Sequence, residues 1–426
     1  LCRALLFLAL ASAQASAGSP VEPPLDRQAL LRHISWLADD ARRGRAPGSA
    51  EGSDTALYIA TELSRAGLSP GAADGSWYQP VPLVERRPDA ADAVWRKGRK
   101  RIAIDPAETL LIARDERSDL AGAPMLFAGY GLEPPAGDLR GKVVLILPGH
   151  PAGMTNAPSV EARRQMFSAL GASAVLIVAG ANDPWPLIRA QLVRGKLTPA
   201  DTTAAPVDGA LSNPAWQKLA AAAGRNADLL TRDAQEAAYQ GIDLPLSLDL
   251  VARSTVRRIA PVNVVARIAG RDPEVGAIVM MAHWDHLGLC RPEGAPDRIC
   301  NGAVDNASGV AVLIEAARRL AAGPRPLRSI YVLATTAEEA GLLGAEAFVR
   351  RPPFDLSRLM AVLNLDTVAI APAGEPVATI GRNRTPLDPV IDEAIVRQGR
   401  TVDSSDAANA FIARQDGWIF TRAGIP

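Results

Sequence analysis

The stretch "GAIVMMAHWDH" (residues 276–286) is a short apolar run that ends in two histidines and an aspartate. An apolar run of this length, bounded by a glycine and by polar residues, predicts a buried β-strand. Four further segments continue the alternation as a helix, a strand, a helix and a strand, at residues 308–321, 329–336, 341–350 and 359–366. This order predicts right-handed crossovers and an α/β fold with a largely parallel central sheet flanked by helices.

Polar residues follow each predicted strand of this series. Ligands of open α/β sheets bind beyond the carboxyl ends of the strands, so these residues mark the candidate site. The residues at the strand ends and before the intervening helix are His283, Asp285, Asp305, Glu338, Glu339 and Asp366. Taken singly, each is typical of a surface residue or a helix cap. Together, one imidazole and several carboxylates at one edge of a sheet predict a site for zinc or a similar divalent ion.

The spacing of these six residues suggests a different role for each member of a pair. His283 and Asp285 are two residues apart in an extended segment, so their side chains point the same way, and Asp285 is expected to accept the second ring N–H of His283. In the pair Glu338–Glu339, one carboxylate can bind a metal ion while its neighbour takes a proton from the attacking water. A further carboxylate can bridge two ions. The pattern therefore predicts metal-assisted hydrolysis of a carbonyl compound.

Four motifs, in this order and spacing, resemble those of the di-zinc aminopeptidase family: "AHWDHLG", "NGAVDNASGVA", "TAEEAGLLGAEAF" and "LNLDTV". Its superfamily also contains glutamate carboxypeptidase and the transferrin receptor. The segment from "HISWLADDARRGRAPGS" to "WYQPVPL" is similar to secreted bacterial members, and "FAGYGLEPPAGDLRGKVVLILPG" resembles the protease-associated (PA) domain inserted in many of them. The resemblance implies the N-terminal part of a peptidase domain at residues 27–104, a PA domain at 105–255 and a catalytic domain at 256–426.

The resemblance also implies a set of metal ligands. His283 and Asp366 would bind one zinc ion, Asp305 would bridge it to a second, and Glu339 would bind that second ion. The family supplies one more histidine to the second ion, from a segment downstream of the position matched by "AGIP". That ligand is expected beyond Pro426, because the sequence starts without Met and stops where the pattern leads into a strand, which predicts a fragment.

Catalytic roles follow from the same resemblance. Glu338 would be the general base that activates the attacking water, and Asp285 would support His283. His286 receives no ligand role and is expected to hydrogen-bond locally. The stretch "RQDGWIF" aligns with Arg-Ser-Asp-His in many members, so Gly417 stands where those members have a histidine. We interpret that difference as a variant of the substrate-side loop.

The function that the resemblance implies is that of an exported zinc-dependent exopeptidase, an aminopeptidase that acts on peptides. Two alternatives stay open: a non-catalytic, receptor-like binding module of the same fold, and a single-zinc acyltransferase of the glutaminyl cyclase type. A non-catalytic relative should have lost Glu338 or several ligands, and a cyclase fits the PA-like insertion poorly. The insertion is expected either to limit substrate access or to serve as a packing module.

Charge and the N-terminal segment limit the partners and the location. Forty-six basic residues balance 46 acidic ones, so the net charge gives no basis for a nucleic-acid or anionic-membrane partner. "LCRALLFLALASAQASAG" combines Arg3, an apolar run and small-x-small sites, which predicts a signal peptide at residues 1–17 and a periplasmic or secreted protein. The alternative is a buried helix or a membrane anchor, but the apolar run is too short to span a bilayer comfortably.

Local patterns outside the catalytic region predict further elements. Export leaves Cys290 and Cys300, which either form a disulfide worth about 2–3 kcal/mol or remain free thiols. Residues 27–70 are predicted to form two helices joined by the turn "GRAPGSAEGS", with Leu31 and Leu37 among the apolar positions of the first and Leu57 and Leu63 among those of the second. Strands are predicted at residues 143–147 and 174–178.

Overall fold

The computed structural model describes residues 25–154, 157–236, 239–368 and 370–426. The α-helices of these residues are α1 Arg27–Leu37, α2 Ala50–Arg65, α3 Val160–Ala169, α4 Trp185–Val193, α5 Asn213–Ala222, α6 Ala227–Asp233, α7 Gly309–Ala322, α8 Leu343–Arg350, α9 Asp388–Arg397 and α10 Gly417–Arg422. The strands are β1 Ser69–Pro70, β2 Tyr78–Pro80, β3 Leu83–Lys97, β4 Lys100–Ile102, β5 Thr109–Ala113, β6 Arg117–Phe127, β7 Val143–Ile146, β8 Ala174–Val178, β9 Lys196–Pro199, β10 Val207–Leu211, β11 Ile242–Ile259, β12 Val262–Ile268, β13 Ala277–His283, β14 Ser329–Thr335 and β15 Leu359–Asn364. The predicted signal peptide, residues 1–17, lies outside the described residues.

The chain divides into two compact units. One contains the described residues up to Gln79 together with Val262–Pro426, and the other is Pro80–Pro261. The second unit is wider than the insertion expected at residues 105–255. The reason is that β3 pairs antiparallel with β11 along nearly its whole length, so β3 joins the sheet of the second unit rather than that of the first.

The sheet of the first unit has the strand order β1-β12-β14-β13-β15, with β2 also paired to β12. Strand β13 runs parallel to both β14 and β15, as the alternation of strands and helices predicted. Strand β12 is antiparallel to β14, and β1 is antiparallel to β12. The fold is therefore α/β with a mixed sheet whose parallel part carries the predicted site residues at its strand ends.

Helices cover both faces of this sheet. Val264 and Ala266 of β12 pack into a cluster with residues of α1, α2 and α7, whereas Val265 between them packs with Phe348 of α8 and Phe420 of α10. Successive side chains of a strand point to opposite faces, so the two clusters are the two cores of a three-layer unit. No helix among the described residues is long and apolar enough to span a membrane.

The two N-terminal helices are present, but the buried face differs from the expected one. Leu37 and Leu63 are fully buried, whereas Leu31 is 64% exposed and Leu57 is 58% exposed. Small residues such as Ala29 and Ala56 occupy the buried stripe instead. The two helices are confirmed, but the prediction that all of their leucines face the core is wrong for Leu31 and Leu57.

The second unit is built on a nine-stranded sheet of order β4-β3-β11-β6-β7-β8-β10-β5, with β9 paired to β3. The strands predicted at residues 143–147 and 174–178 are β7 and β8, and they pair in parallel. Phe127 and Trp216 stack in the core of this unit with ring centroids 4.7 Å apart. Trp216 lies on α5, so this stacking packs a helix against the sheet.

Candidate active site

The parallel strands bring the predicted site residues together at one edge of the first unit. His283, the last residue of β13, is buried, and its Nε2 atom faces three carboxylates. The distances from Nε2 are 3.1 Å to Asp305 Oδ1, 3.5 Å to Asp366 Oδ1 and 4.0 Å to Glu338 Oε2. Residues from four separate segments therefore meet around a single imidazole nitrogen.

The other ring nitrogen of His283 is held by the backbone rather than by the side chain that the sequence suggested. Nδ1 lies 3.1 Å from the backbone carbonyl of Asp285 and 3.9 Å from its carboxylate. A carbonyl can only accept, so Nδ1 carries the proton and donates it. The Asp285 carboxylate instead accepts from the backbone N–H of Glu338 at 3.2 Å, because the chain after β13 turns its carbonyl toward the ring. Asp285 thus connects the His283 segment to the Glu338 segment.

A second set of donors lies beside the first. His286, Asp305 and Glu339 each offer an atom within 4.8 Å of the others, and His283, Asp305 and Asp366 do the same. Asp305 is the member common to both sets. The sequence interpretation gave His286 no ligand role, yet its Nδ1 lies 2.5 Å from Glu339 Oε1. Its position three residues after His283 in "HWDH" was the available signal.

The ligand atoms of the second set, from His286, Asp305 and Glu339, are arranged as expected around a cation. His286 Nδ1, Asp305 Oδ1 and Glu339 Oε1 are buried atoms that approach other polar atoms of the site but, among the described residues, form no hydrogen bond of normal geometry. Buried polar atoms are normally hydrogen-bonded, so converging donors that lack such bonds point to a missing positive centre. Imidazole nitrogen and carboxylate oxygen are ligands typical of zinc. The residues present therefore fit a zinc site.

The electrostatics of the first set, His283, Asp305 and Asp366, also favour a bound cation. Burial lowers the pKa of His283, but the carboxylates of Asp305 and Asp366 outweigh that effect and hold its pKa well above the ordinary value. Contact with His283 in turn lowers the pKa of Asp305. The cluster has an excess of negative charge that favours a proton on Nε2, and a metal cation would take the place of that proton.

The side chain of Asn306 ties the segment that carries Asp305 to the segment that carries Asp366. Its amide nitrogen donates to the carbonyl of Leu365 at 2.9 Å, and its amide oxygen accepts from the N–H of Thr367 at 3.3 Å. These bonds tie the turn before α7 to the residues on either side of Asp366. The amide oxygen also accepts from the N–H of Gly309 at 3.0 Å, at the start of α7. The motif "VDNASG" is therefore a connector between two ligand segments, beyond a simple helix cap.

Glu338 occupies a tight turn between β14 and α8. Its carbonyl accepts from the N–H groups of Gly341 and Leu342, at 2.8 and 2.9 Å. Burial raises the pKa of Glu338 to about 9. A strongly perturbed pKa of a buried carboxyl is typical of functional sites.

Asp416 is a further buried carboxyl near the site, and the sequence interpretation did not single it out. It is fully buried, and Thr335 at the end of β14 donates a hydrogen bond to it. Burial raises its pKa to about 7. Its place in "RQDG", far along the chain from the other site residues, gave no local signal of this contact.

One side of the site opens to solvent. The side chain of His283 is 2% exposed and that of Glu338 is 10% exposed, whereas that of Asp305 is 48% exposed. The imidazole therefore forms the floor of the site and Asp305 lies at its mouth.

Comparisons with known proteins agree with this architecture. Residues 263–426 match the model of Peptidase family M28. A probable zinc metalloprotease of Pyrenophora teres f. teres is 36% identical over 115 residues, which are 26% of this chain and 24% of that protein. A probable glutamate carboxypeptidase of Arabidopsis thaliana is 30% identical over 179 residues, 41% of this chain and 23% of that protein. The chain thus matches about a quarter of the length of these curated relatives.

A solved structure has a similar fold over most of the chain. The aminopeptidase from Aneurinibacillus sp. strain AM-1 aligns with a TM-score of 0.56 at 18% identity, over 94% of this chain and 84% of that one. At that identity the likeness concerns the fold alone. The match to the family model is confined to residues 263–426, and the likeness in fold agrees with it.

Proposed function

We propose that this protein is an exported, zinc-dependent exopeptidase, and specifically an aminopeptidase that removes N-terminal residues from peptides. The observation that carries the proposal is the pair of donor sets that share Asp305, with the Glu338 carboxylate beside them. The family match and the names of the zinc metalloprotease and aminopeptidase relatives support it. Export rests on the signal-peptide pattern at residues 1–17.

Two zinc ions are proposed for the site. His283, Asp305 and Asp366 would hold the first, and His286, Asp305 and Glu339 offer donors to the second. Carboxylates can bridge paired ions about 3.5–4 Å apart, and this is the role proposed for Asp305. When bound, zinc supplies a Lewis acid that polarises the scissile carbonyl and makes water a better nucleophile.

Glu338 is proposed to move the proton of the reaction. Its Oε2 atom lies 4.0 Å from His283 Nε2, so it borders the first donor set without belonging to it. From that position it can accept a proton from the attacking water and return it to the leaving amine. The Asp285 carboxylate fixes the backbone N–H of Glu338, which keeps the base at this distance.

The second unit is proposed to be a PA-type domain, on the sequence resemblance of residues 105–255. Its bounds in the structure are Pro80–Pro261. We propose peptides as the substrates of the whole protein, and neither nucleic acid nor a membrane as a partner.

A peptide panel tests the proposal. The full-length protein is stripped with a chelator, reloaded with zinc and incubated with matched peptides that have a free or an acetylated N-terminus and a free or an amidated C-terminus. We expect zinc-dependent release of the N-terminal residue from free but not from acetylated peptides. Release blocked only by C-terminal amidation would make the protein a carboxypeptidase. No metal-dependent release from any peptide would contradict an exopeptidase and favour the receptor-like alternative.

A further inference from the structure

Arg45 is a fully buried cation in the turn between α1 and α2. Its guanidinium bonds backbone carbonyls instead of a carboxylate partner. Nε donates to Trp284 at 2.7 Å, Nη1 donates to Leu37 at 3.1 Å and to Asn301, and Nη2 donates to Gly302 at 2.7 Å and to Asp305 at 3.5 Å. Every nitrogen of the guanidinium is therefore used.

The bonded carbonyls belong to different segments of the site. Trp284 directly follows His283, and Asp305 is the residue common to both donor sets. One planar group thus joins the chain that leaves β13 to the chain that enters the kinked turn Ala303–Ser308. Only arginine has the forked donors for this, since a lysine ammonium is a compact charge at the end of a flexible stem.

The backbone is closely fitted around this guanidinium. Gly302 has a φ of +59°, and a Cβ atom added there would lie 2.6 Å from Arg45 Nη2. The amide of Asn301 donates to the carbonyl of Ala38 at 2.8 Å, which adds a second tie between the N-terminal segment and the Asp305 segment. The backbone N–H of Gly288 donates to the carbonyl of Gly44 at 3.1 Å.

The positive charge of Arg45 also acts on the carboxylates of the site. Burial lowers the pKa of Arg45 to about 10, while Asp285, Asp305 and Glu339 favour its charged form. At that value the side chain remains cationic at neutral pH. It offsets part of the mutual repulsion of the carboxylates from within the protein.

We propose that Arg45 is a positioning residue of the metal centre, which fixes the separation of His283 and Asp305 by binding the backbone of both segments. The inference rests on the proposed zinc site and goes beyond it, because Arg45 itself offers no metal ligand. Without the guanidinium, the two ligand segments lose their common support and must be ordered by the metal ion itself. Changes to groups that orient metal ligands typically weaken metal affinity by about 10–100-fold.

The test measures zinc affinity in folded protein for Arg45→Gln and Arg45→Lys, by competition with a chromophoric chelator. Arg163→Gln is the matched control, since Arg163 is also buried and donates to the carbonyls of Leu147 and Gly149, but in the second unit. Circular dichroism checks folding. The visible absorption of the cobalt-substituted protein reports the ligand geometry, which a purely structural role would leave unchanged.

We expect Arg45→Gln to bind zinc about 10–100-fold more weakly with an altered cobalt spectrum. Arg45→Lys should lie between that variant and wild type, and Arg163→Gln should lose thermal stability while keeping wild-type zinc affinity. If the wild-type protein binds zinc tightly and folded Arg45→Gln binds it equally well, the positioning role fails and the proposed function stands. If the wild-type protein binds no zinc, both fail. Should Arg45→Gln not fold, wild-type affinity in folded Arg45→Lys overturns the role.

Discussion

The Nε2 atom of His283 and the Oδ1 atom of Asp305 lie 3.1 Å apart, although a loop closed by a disulfide between Cys290 and Cys300 separates the two residues along the chain. Neither β13 nor α7 alone could bring them together. The Arg45 guanidinium donates hydrogen bonds to the backbone of both segments, at Trp284 and at Gly302. The candidate metal centre is thus assembled by tertiary contacts around a rigid strand end.

Glu338→Gln separates catalysis from metal binding. The amide cannot take a proton, so we expect kcat to fall by about 10²–10⁴-fold, the usual contribution of general acid–base catalysis. Zinc content should stay at the wild-type level because Glu338 lies outside both donor sets. Glu346→Gln on α8, at a partly exposed position, is the control and should leave kcat unchanged. Loss of zinc from Glu338→Gln, measured by elemental analysis, would contradict the base role.

The metal-free protein should lose stability as pH rises. Burial raises the pKa of Asp416 to about 7, above its ordinary value of 3.8, so folding favours the protonated form. This contribution is fully present below the unfolded pKa and is lost as pH rises through the folded pKa. In chelator, Tm should therefore fall as pH rises from about 4 to 7, the interval between the unfolded and the folded pKa of Asp416. Asp416→Asn should flatten that fall, whereas Asp54→Asn, a change at an exposed position, should leave it as in wild type. An equal pH slope in Asp416→Asn and wild type would count against this account.

Gly302→Ala should disturb the site more than another glycine of the same loop. A Cβ at Gly302 would clash with the Asp305 carbonyl and approach the Arg45 guanidinium, so we expect weaker zinc binding and a lower Tm. Gly294 also has a positive φ, +91°, but nothing lies within 4 Å of its added Cβ. Gly294→Ala therefore carries only the left-handed backbone cost, roughly 1–2 kcal/mol, and should keep its zinc affinity. Equal zinc affinities in the two variants would show that the space around Gly302 is not critical.

The disulfide should stabilise the loop that delivers the chain to Asp305. Cys290 and Cys300 are joined with a Cα–Cα distance of 5.8 Å, and Leu289 and Ile299 beside them form a β-bridge. Replacing both cysteines with serine should lower the free energy of unfolding by about 2–3 kcal/mol, measured by urea denaturation. Reductant should destabilise the wild-type protein by a similar amount and leave the double variant unaffected. A double variant as stable as wild type would contradict this.

The sequence predicted the elements whose pattern is local. Runs such as residues 276–283 and 329–336 have the length, composition and bounding residues of buried strands, and their order predicts where the polar ends meet. Four of the site residues named from the sequence lie around His283, namely Asp285, Asp305, Glu338 and Asp366. Glu339 lies beside His286 and Asp305 in the second set. The sequence pattern does not predict how the chain runs between these strands.

That path explains the differences. Arg45 was included in a predicted turn. Four of its five hydrogen bonds go to backbone carbonyls of the segment from Trp284 to Asp305, far along the chain, and backbone carbonyls are common to all residues and give no sequence signal. Asp285 contacts His283 through its backbone because the local turn decides which group faces the ring. The alternation of β3 is interrupted by charged residues and Pro88, so its long pairing with β11 had no clear local signal.

The central claim is that two metal ions share Asp305, and anomalous diffraction at the zinc edge tests it most directly. Crystals of the full-length, zinc-loaded protein should show two anomalous peaks about 3.5–4 Å apart, one beside His283 and Asp366 and the other beside Glu339, with Asp305 between them. The contacts that place these side chains predict that result. A single peak, or peaks that Asp305 does not contact, would contradict the claim.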